Sequence, residues 1–195
     1  MAGQVPMPLV LEDFPIANCL PMLVFEDGAI LDKDSGKPIP HPLVKSREST
    51  DEAWKVGCAA LQATTGAREK IEKLFHPTQY DIPLPPRIDK VIGFGLGSMA
   101  LGTDLNRVRH CVQHAILQSI RDLLLQRGAK KVGCFVQDPM YQPDDKEILG
   151  NAGITVLDDP RAFLEVDENT VVVAFNPSFP LRQIIADIAR PAVLI

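Results

Sequence analysis

The sequence predicts an α/β protein with a Rossmann-like, three-layer α/β/α architecture around a mostly parallel sheet, preceded by an N-terminal extension of a hairpin and helices. The first observation behind this prediction is an apolar strand at residues 88–94 that runs into glycines at alternate positions, Gly93, Gly95 and Gly97, and then into a long amphipathic helix. The second is that short apolar runs alternate with helical patterns through the rest of the chain. A strand, a glycine turn and a helix in this order are typical of proteins that bring backbone N–H groups up to a nucleotide or a phosphate.

Composition and charge limit the classes of partner. The chain has 195 residues and a formal net charge of −5, so no overall attraction to nucleic acid or to anionic lipid is expected. No apolar run approaches the ~18 residues of a membrane helix. The cysteines form no CxxC pair, which argues against a zinc knuckle and a redox motif; they are Cys19, Cys58, Cys111 and Cys134. With no secretion signal, we expect free thiols and a cytoplasmic location, with the nucleus as a second compartment.

Residues 1–85 are expected to form the extension. Residues 22–33 read as a hairpin, because an Asp-Gly pair separates two apolar runs. A helix is expected to begin near Ser49, which forms an S-x-x-E capping box with Glu52. A second helix is expected over residues 68–75, and prolines then mark a linker. Nothing in the sequence indicates whether this extension packs on the sheet domain.

Residues 86–195 are expected to form the Rossmann-like domain. The predicted strands are residues 88–94, 131–136, 154–157, 170–175 and a last one from 192, and the predicted helices are 103–127, 143–151, 160–164 and 181–189. Such alternation favours a parallel sheet with helices on both faces and a ligand at the carboxyl ends of the strands. The chain stops at Ile195 inside an apolar strand, so we expect the domain to be truncated at its C-terminus.

Two nucleotide fingerprints overlap in the glycine stretch. Gly95-x-Gly97-x-x-Ala100 fits the dinucleotide pattern, and Gly93-x-Gly95-x-Gly97 fits the loop of S-adenosylmethionine methyltransferases. The dinucleotide version requires the helix to open directly after the turn, whereas here Gly102 intervenes. S-adenosylmethionine is therefore favoured over NAD, and a tight turn without a ligand is the alternative. The cofactor itself stays unidentified.

Asp138 ends the second strand of the domain, where a carboxylate can accept hydrogen bonds from ribose hydroxyls. The alternative is an Asp-Pro turn that needs no ligand. Asp138 exposed beside Gly95 would favour a ligand, whereas Asp138 as a helix cap or arginine partner would favour a scaffold.

Asn176-Pro177-Ser178-Phe179 follows the fourth strand and is similar to the Asn-Pro-Pro-aromatic loop that holds the target amine in amino-methyltransferases. Ser178 replaces the second proline, and Asn-Pro also simply starts turns. The candidate cofactor-binding residues are thus Gly93, Gly95, Gly97, Ser98, Asp138 and Asn176. No catalytic residue and no metal site is predicted.

His110 and His114 lie one helical turn apart, close to a metal-ligand spacing. No third ligand can be placed beside them. With Arg107 and Arg121 they are expected to form the solvated face of the long helix.

Together these motifs make the run from Val91 to about Ile195 resemble the Sensitivity to Red Light Reduced (SRR-like) domain. The matching features are Gly95-Leu96-Gly97-Ser98 after an apolar strand, Gln113-His114-Ala115 in the long helix, Asp138-Pro139 after the next strand, the helix segment from Glu147 to Leu149, and the strand from Gly153 to Val156. The Asn176 to Phe179 loop is a departure, because no fixed family motif is expected there.

The resemblance implies a Rossmann-like domain in a eukaryotic regulatory protein. The family is linked to light and circadian signalling and to haem biosynthesis, and it has no agreed enzymatic reaction. We therefore expect a regulatory protein that binds a nucleotide-type ligand at the glycine stretch and acts through protein partners. A methyltransferase and a non-enzymatic interaction scaffold are the alternatives.

Overall fold

The computed structural model describes residues 25–26, 29–31, 38–39, 44–75, 87–175 and 177–195. The sequence predictions for Cys19, for the Asp27-Gly28 turn, for the linker after Phe75 and for Asn176 lie outside these residues.

The N-terminal strands form a small antiparallel sheet. Its strands are β1 (Phe25–Glu26), β2 (Ala29–Leu31) and β3 (Pro38–Ile39), in the order β1-β2-β3. Phe25 pairs with Ile30 and Glu26 with Ala29, which confirms the predicted hairpin register between β1 and β2. The third strand was not predicted, because it has only two residues, one of them a proline, and carries no alternating pattern.

Two helices follow, α1 (Arg47–Ala63) and α2 (Ala67–Lys73). The predicted N-cap at Ser49 is wrong, because α1 is capped by Ser46, whose side chain accepts from the Ser49 N–H at 3.3 Å. Ser46 has extended backbone and is followed at once by residues that tolerate a helix, so Ser49 falls in the first turn. Gly66, at φ 75°, separates α1 from α2.

The second sheet confirms the predicted α/β class. Its strands are β4 (Lys90–Phe94), β5 (Gly133–Gln137), β6 (Thr155–Val156), β7 (Thr170–Ala174) and β8 (Val193–Leu194), all parallel and in the order β6-β5-β4-β7-β8. The helices between them are α3 (Asp104–Gln126), α4 (Pro143–Asn151), α5 (Arg161–Leu164) and α6 (Leu181–Ile188). None of the helices in the described part of the chain is both long and apolar enough to cross a membrane.

The central strands bury side chains on both faces, which gives the three layers. In β7, Val171 and Val173 pack in the core that includes α3 and α4, while Val172 packs in the core that includes α5 and α6. β4 alternates in the same way, with Val91 on the first face and Ile92 on the second. Burial on both faces explains why these strands read as nearly continuous apolar runs.

The extension helices pack on α3, and Ala53 and Phe75 belong to the same core as α3. At the closest approach, a Cβ built on Gly57 would lie 2.3 Å from the Cβ of Cys111. Arg47 of α1 forms an ion pair with Glu147 of α4. The helices before the predicted boundary are thus attached to the sheet domain through α3 and α4.

We predict that Gly57→Ala lowers the free energy of unfolding by about 2 kcal/mol, because overpacking outweighs the better helix propensity of alanine. The new methyl group would also meet the backbone carbon of Cys111 at 3.0 Å, which cannot move aside as a flexible side chain would. Urea unfolding measures the change.

Gly150→Ala in α4 is the matched control, since a Cβ there meets nothing within 4 Å. It should raise the free energy of unfolding by up to about 1 kcal/mol. Equal effects of the two substitutions would show that α1 and α3 do not pack this closely.

Candidate functional site

The candidate site lies at the point in the parallel sheet where the order of the strands reverses. From β4 the chain runs through β5 to β6 on one side, then returns to β7 and β8 on the other. The loops after β4 and β7 therefore leave the carboxyl ends of adjacent strands at a topological switch point, where open parallel sheets bind ligands. We call residues 95–100, which follow β4, the glycine loop.

Two positions in the glycine loop require glycine. Gly95 has φ 67° and Gly97 has φ 74°, a left-handed conformation that other residues rarely adopt. A Cβ on Gly95 would lie 3.2 Å from the Cα of Pro177, so the loops after β4 and β7 touch. A Cβ on Gly97 would lie 2.6 Å from ring atoms of His110. The turn, the Pro177 loop and the start of α3 are thus in close contact.

Gly93 has a different environment from the other two glycines. It lies within β4, paired with Val136 of β5 and Val173 of β7, and is buried. A Cβ there would lie 2.7 Å from the side chain of Leu96. The absence of a side chain at Gly93 therefore makes room for the core.

The buried carboxylate of Asp145 holds the glycine loop. Its Oδ1 accepts from the N–H groups of Met99 at 2.8 Å and Ala100 at 3.0 Å. Its Oδ2 accepts from the Ser98 hydroxyl at 2.6 Å and from the Gln142 N–H at 2.8 Å. The Gln142 bond is half of a capping box at the start of α4, so one side chain caps that helix and fixes the loop.

These contacts define the charge state of Asp145. Burial raises the pKa of its carboxyl, and the hydrogen bonds from Ser98 and the backbone oppose that effect. Each oxygen already accepts two hydrogen bonds, so a proton would have to displace a donor. The geometry is that of an ionised carboxylate. Ser98 itself is 1% exposed and donates its only proton to Asp145, so its hydroxyl faces the interior.

Asp138 holds the same loop at Gly97. Its Oδ2 accepts from the Gly97 N–H at 2.8 Å, and its Oδ1 accepts from the Met140 N–H at 2.9 Å. Burial raises the pKa of the Asp138 carboxyl, while these two hydrogen bonds and the nearby His110 lower it. Asp138 is half-buried beside the glycine loop and pairs with backbone amides, so the described residues give it neither an arginine partner nor a helix to cap.

The polar side of α3 is not solvated, so that expectation is wrong. His114 is fully buried and Arg107 is 3% exposed. The glycine loop and the segment around Tyr141 cover this side and supply partners. His110 Nδ1 lies 2.7 Å from the carbonyl of Ser98, and His114 Nε2 lies 2.7 Å from the Tyr141 hydroxyl.

The protonation of His114 follows from its two partners. Its Nδ1 lies 2.7 Å from the carbonyl oxygen of His110, which can only accept, so Nδ1 carries the hydrogen. Nε2 is then the acceptor for the Tyr141 hydroxyl. Burial lowers the pKa of His114 to about 4, so the neutral ring is the stable form.

Arg107 connects the first turn of α3 to the glycine loop at Met99. Its Nε donates to the carbonyl of Met99 at 2.8 Å, and its Nη1 donates to Asp104 at 3.1 Å. Its Nη2 is buried and finds no hydrogen-bond partner among the described residues. The guanidinium therefore positions the loop through the main chain rather than facing solvent.

A groove of about 690 Å³ lies elsewhere, between α1, α2 and the second half of α3. Its lining includes Cys58, Leu61, Ile71, Ala115 and Leu123, and none of the glycine-loop residues. This groove is separate from the switch point and shares no side chain with it.

The structure brings together Gly95, Gly97 and Asp138 of the predicted site. Sequence reasoning missed Asp145, although its place three residues after Gln142, at the start of a helix with Pro143 in its first turn, signals a capping carboxylate. The residues brought together offer a half-buried carboxylate acceptor and a tight backbone turn. They contain no activated nucleophile and no paired acid and base.

We predict that Asp145→Ala lowers the free energy of unfolding by at least about 3 kcal/mol, since it leaves several buried N–H groups without acceptors. Asp144→Ala, one residue earlier in the first turn of α4, should cost no more than about 1 kcal/mol, the loss of a charge near a helix N-terminus. Chemical denaturation of both variants compares them. Similar losses would contradict the clamping role of Asp145.

We also predict a pH-dependent contribution from His114. Its folded pKa of about 4 lies below the ordinary value of 6.5, so the unfolded chain binds the proton first. The stabilisation is complete above pH 6.5 and is lost as the pH falls to about 4, a loss of about 3 kcal/mol.

Urea unfolding of the native protein and of His114→Gln between pH 7 and pH 4 measures this loss. The stability difference between the two proteins should shrink as the pH falls, because Asp138 and Asp145 titrate in both and cancel. A difference that stays constant over this range would contradict the assignment.

Two comparisons with known proteins bear on identity. The family model of the SRR1 domain matches residues 68–195, which include all of α2 but its first residue, the whole parallel sheet and the glycine loop. A search of curated proteins found no match. The family match covers more than half of the chain and agrees with the motifs around Gly97 and Asp138. The chain belongs to the SRR1 domain family.

Proposed function

We propose that this chain is a regulatory protein whose SRR1 domain binds a nucleotide-type ligand at the switch point and carries out no reaction of its own there. The supporting observation is the juxtaposition of Asp138 with the left-handed turn at Gly95 and Gly97, 2.8 Å from the Gly97 N–H, at the carboxyl ends of β4 and β5. A carboxylate at the end of the second strand of the sheet domain is the acceptor that ribose hydroxyls use in this class of fold.

The chemistry of the same residues supports a role without catalysis. Ser98 has already donated its proton to Asp145, and the neutral ring of His114 is buried against Tyr141. Neither group reaches a ligand at the surface of the loop. A ligand held here would act by changing the contacts of the domain with protein partners.

An interaction scaffold is the second candidate, and a specific observation favours it. The N–H groups of Gly97, Met99 and Ala100 are all bonded to carboxylates of the chain itself, so these three donors are satisfied without a ligand. A methyltransferase is the enzyme alternative, supported by the contact of Pro177, in the segment after β7, with Gly95.

Thermal unfolding of the full chain with separate ligands tests these alternatives. The panel is S-adenosylmethionine, its demethylated product, NAD, NADP, ATP and haem, the last because the SRR-like resemblance implies a link to haem biosynthesis. A ligand at about 100 times its Kd stabilises the folded state by about 2.7 kcal/mol, which gives a clear shift in Tm. A shift with a nucleoside-containing ligand supports the proposal, and a shift with the methyl donor alone supports the methyltransferase. No shift in a folded sample supports the scaffold and contradicts the proposal.

Gly95→Ala shows whether binding occurs at the glycine loop. Its Cβ would lie 3.2 Å from Pro177, so we expect the ligand-induced Tm shift to fall by more than half while the chain still folds. Gly66→Ala is the control, because Gly66 has a similar φ of 75° with nothing closer than 3.9 Å to its Cβ, and lies between α1 and α2. Both variants carry similar backbone strain. An undiminished Tm shift in Gly95→Ala would place the ligand elsewhere.

A further inference from the structure

We propose that the crevice at the glycine loop selects a ribonucleoside without a phosphate group, one that offers hydroxyl donors to Asp138. This inference rests on the proposed function, because it assumes a ligand at that loop. It concerns the chemical class of the ligand, which neither the fold nor the family match specifies.

Three backbone donors of the glycine loop are occupied by carboxylates. Glycine loops hold a pyrophosphate through N–H groups that point away from the sheet. Here the Gly97 N–H points to Asp138, and the N–H groups of Met99 and Ala100 point to Asp145. A phosphate would have to displace one of these anions and then lie beside it.

The helix N-termini near the loop are negatively charged as well. The first turn of α3 contains Asp104, and the first turn of α4 contains Asp144 and Asp145. Each carboxylate offsets the partial positive charge that a helix N-terminus would offer an anion. The helix termini therefore add no attraction for phosphate.

Arg107, a cation next to the glycine loop, does not reverse this preference against phosphate. Arg107 is 3% exposed, and its guanidinium is bonded to the Met99 carbonyl and to Asp104. To pair with the guanidinium, a phosphate in solvent would have to displace the carboxylate of Asp104 or open the glycine loop. Opening the loop breaks the three hydrogen bonds that Ser98, Met99 and Ala100 donate to Asp145.

Asp138 is half-buried and retains acceptor capacity. A carboxylate has about four acceptor positions, and Asp138 uses one on each oxygen, for Gly97 and Met140. The two remaining positions suit the vicinal hydroxyls of a ribose, and a half-buried carboxylate makes these charge-assisted bonds strong. The same carboxylate repels a neighbouring phosphate.

Titration calorimetry at low ionic strength tests the selectivity with matched pairs. The probes are adenosine, guanosine, cytidine and uridine, each with its 5′-monophosphate and its 2′-deoxy form. We expect at least one ribonucleoside to bind, its monophosphate to bind at least tenfold more weakly, and its 2′-deoxy form to be weakened to a similar degree. This comparison uses the native protein and does not depend on any variant folding.

Two other results would overturn the inference in distinguishable ways. A monophosphate that binds as tightly as its nucleoside overturns the selectivity and leaves the proposed function intact. If no nucleoside or nucleotide binds, the selectivity and the proposed ligand both fail.

Asp138→Asn then tests the assigned acceptor. It should weaken binding of the nucleoside at least tenfold. It should also bring the Kd values of the nucleoside and its monophosphate closer together, because the charge that repels the phosphate is gone. Asp158→Asn, at an exposed surface carboxylate that pairs with Lys146, should change neither value. An unchanged ratio of the two Kd values in Asp138→Asn would show that another group sets the selectivity and would overturn the role of Asp138.

Discussion

The buried carboxylate of Asp145 accepts hydrogen bonds from the Ser98 hydroxyl and from three backbone amides, at the start of α4 and in the glycine loop. Backbone carbonyls of one strand or helix could not accept from all of these donors, because the loop turns away from β4 before α3 begins. The loop in turn fixes the start of α3 through Arg107 and the packing of His110 on Gly97. The position of the candidate crevice therefore depends on one side chain in a neighbouring helix.

The same arrangement gives the glycine motif a different role from the one it has in dinucleotide-binding proteins. In a dinucleotide-binding protein, the glycines expose backbone donors to an external anion. In this SRR1 domain, Asp138 and Asp145 take the place of that anion, and the glycines allow the chain to fold back on its own carboxylates. The motif is retained as a turn, and its donors are used for structure. In the function that we propose, a ligand is recognised through acceptors, and Asp138 is one of them, half-buried beside the loop.

The sequence predicts the sheet well because its strands are buried on both faces and its helices carry strong end signals. Thr103 caps α3 and Gly128 follows its end, as their types predict. The start of α1 is harder, since Ser46 and Ser49 are chemically alike and only the backbone decides between them. The site is harder still. Asp145 and Ser98 are separated by a whole helix and a strand, and nothing local indicates that they meet. His114 looks like a surface residue because its partner, Tyr141, lies in the segment after β5, far from it in the sequence.

Amide hydrogen exchange of the glycine loop is the most direct test of this account. The N–H protons of Gly97, Met99 and Ala100 should exchange as slowly as those of Ile92 and Phe94 in β4, because carboxylates of the chain hold them. Exchange as fast as at the exposed residues Lys130 and Lys131 would contradict it. The loop would then present free donors, and its glycines would be available to bind a phosphate.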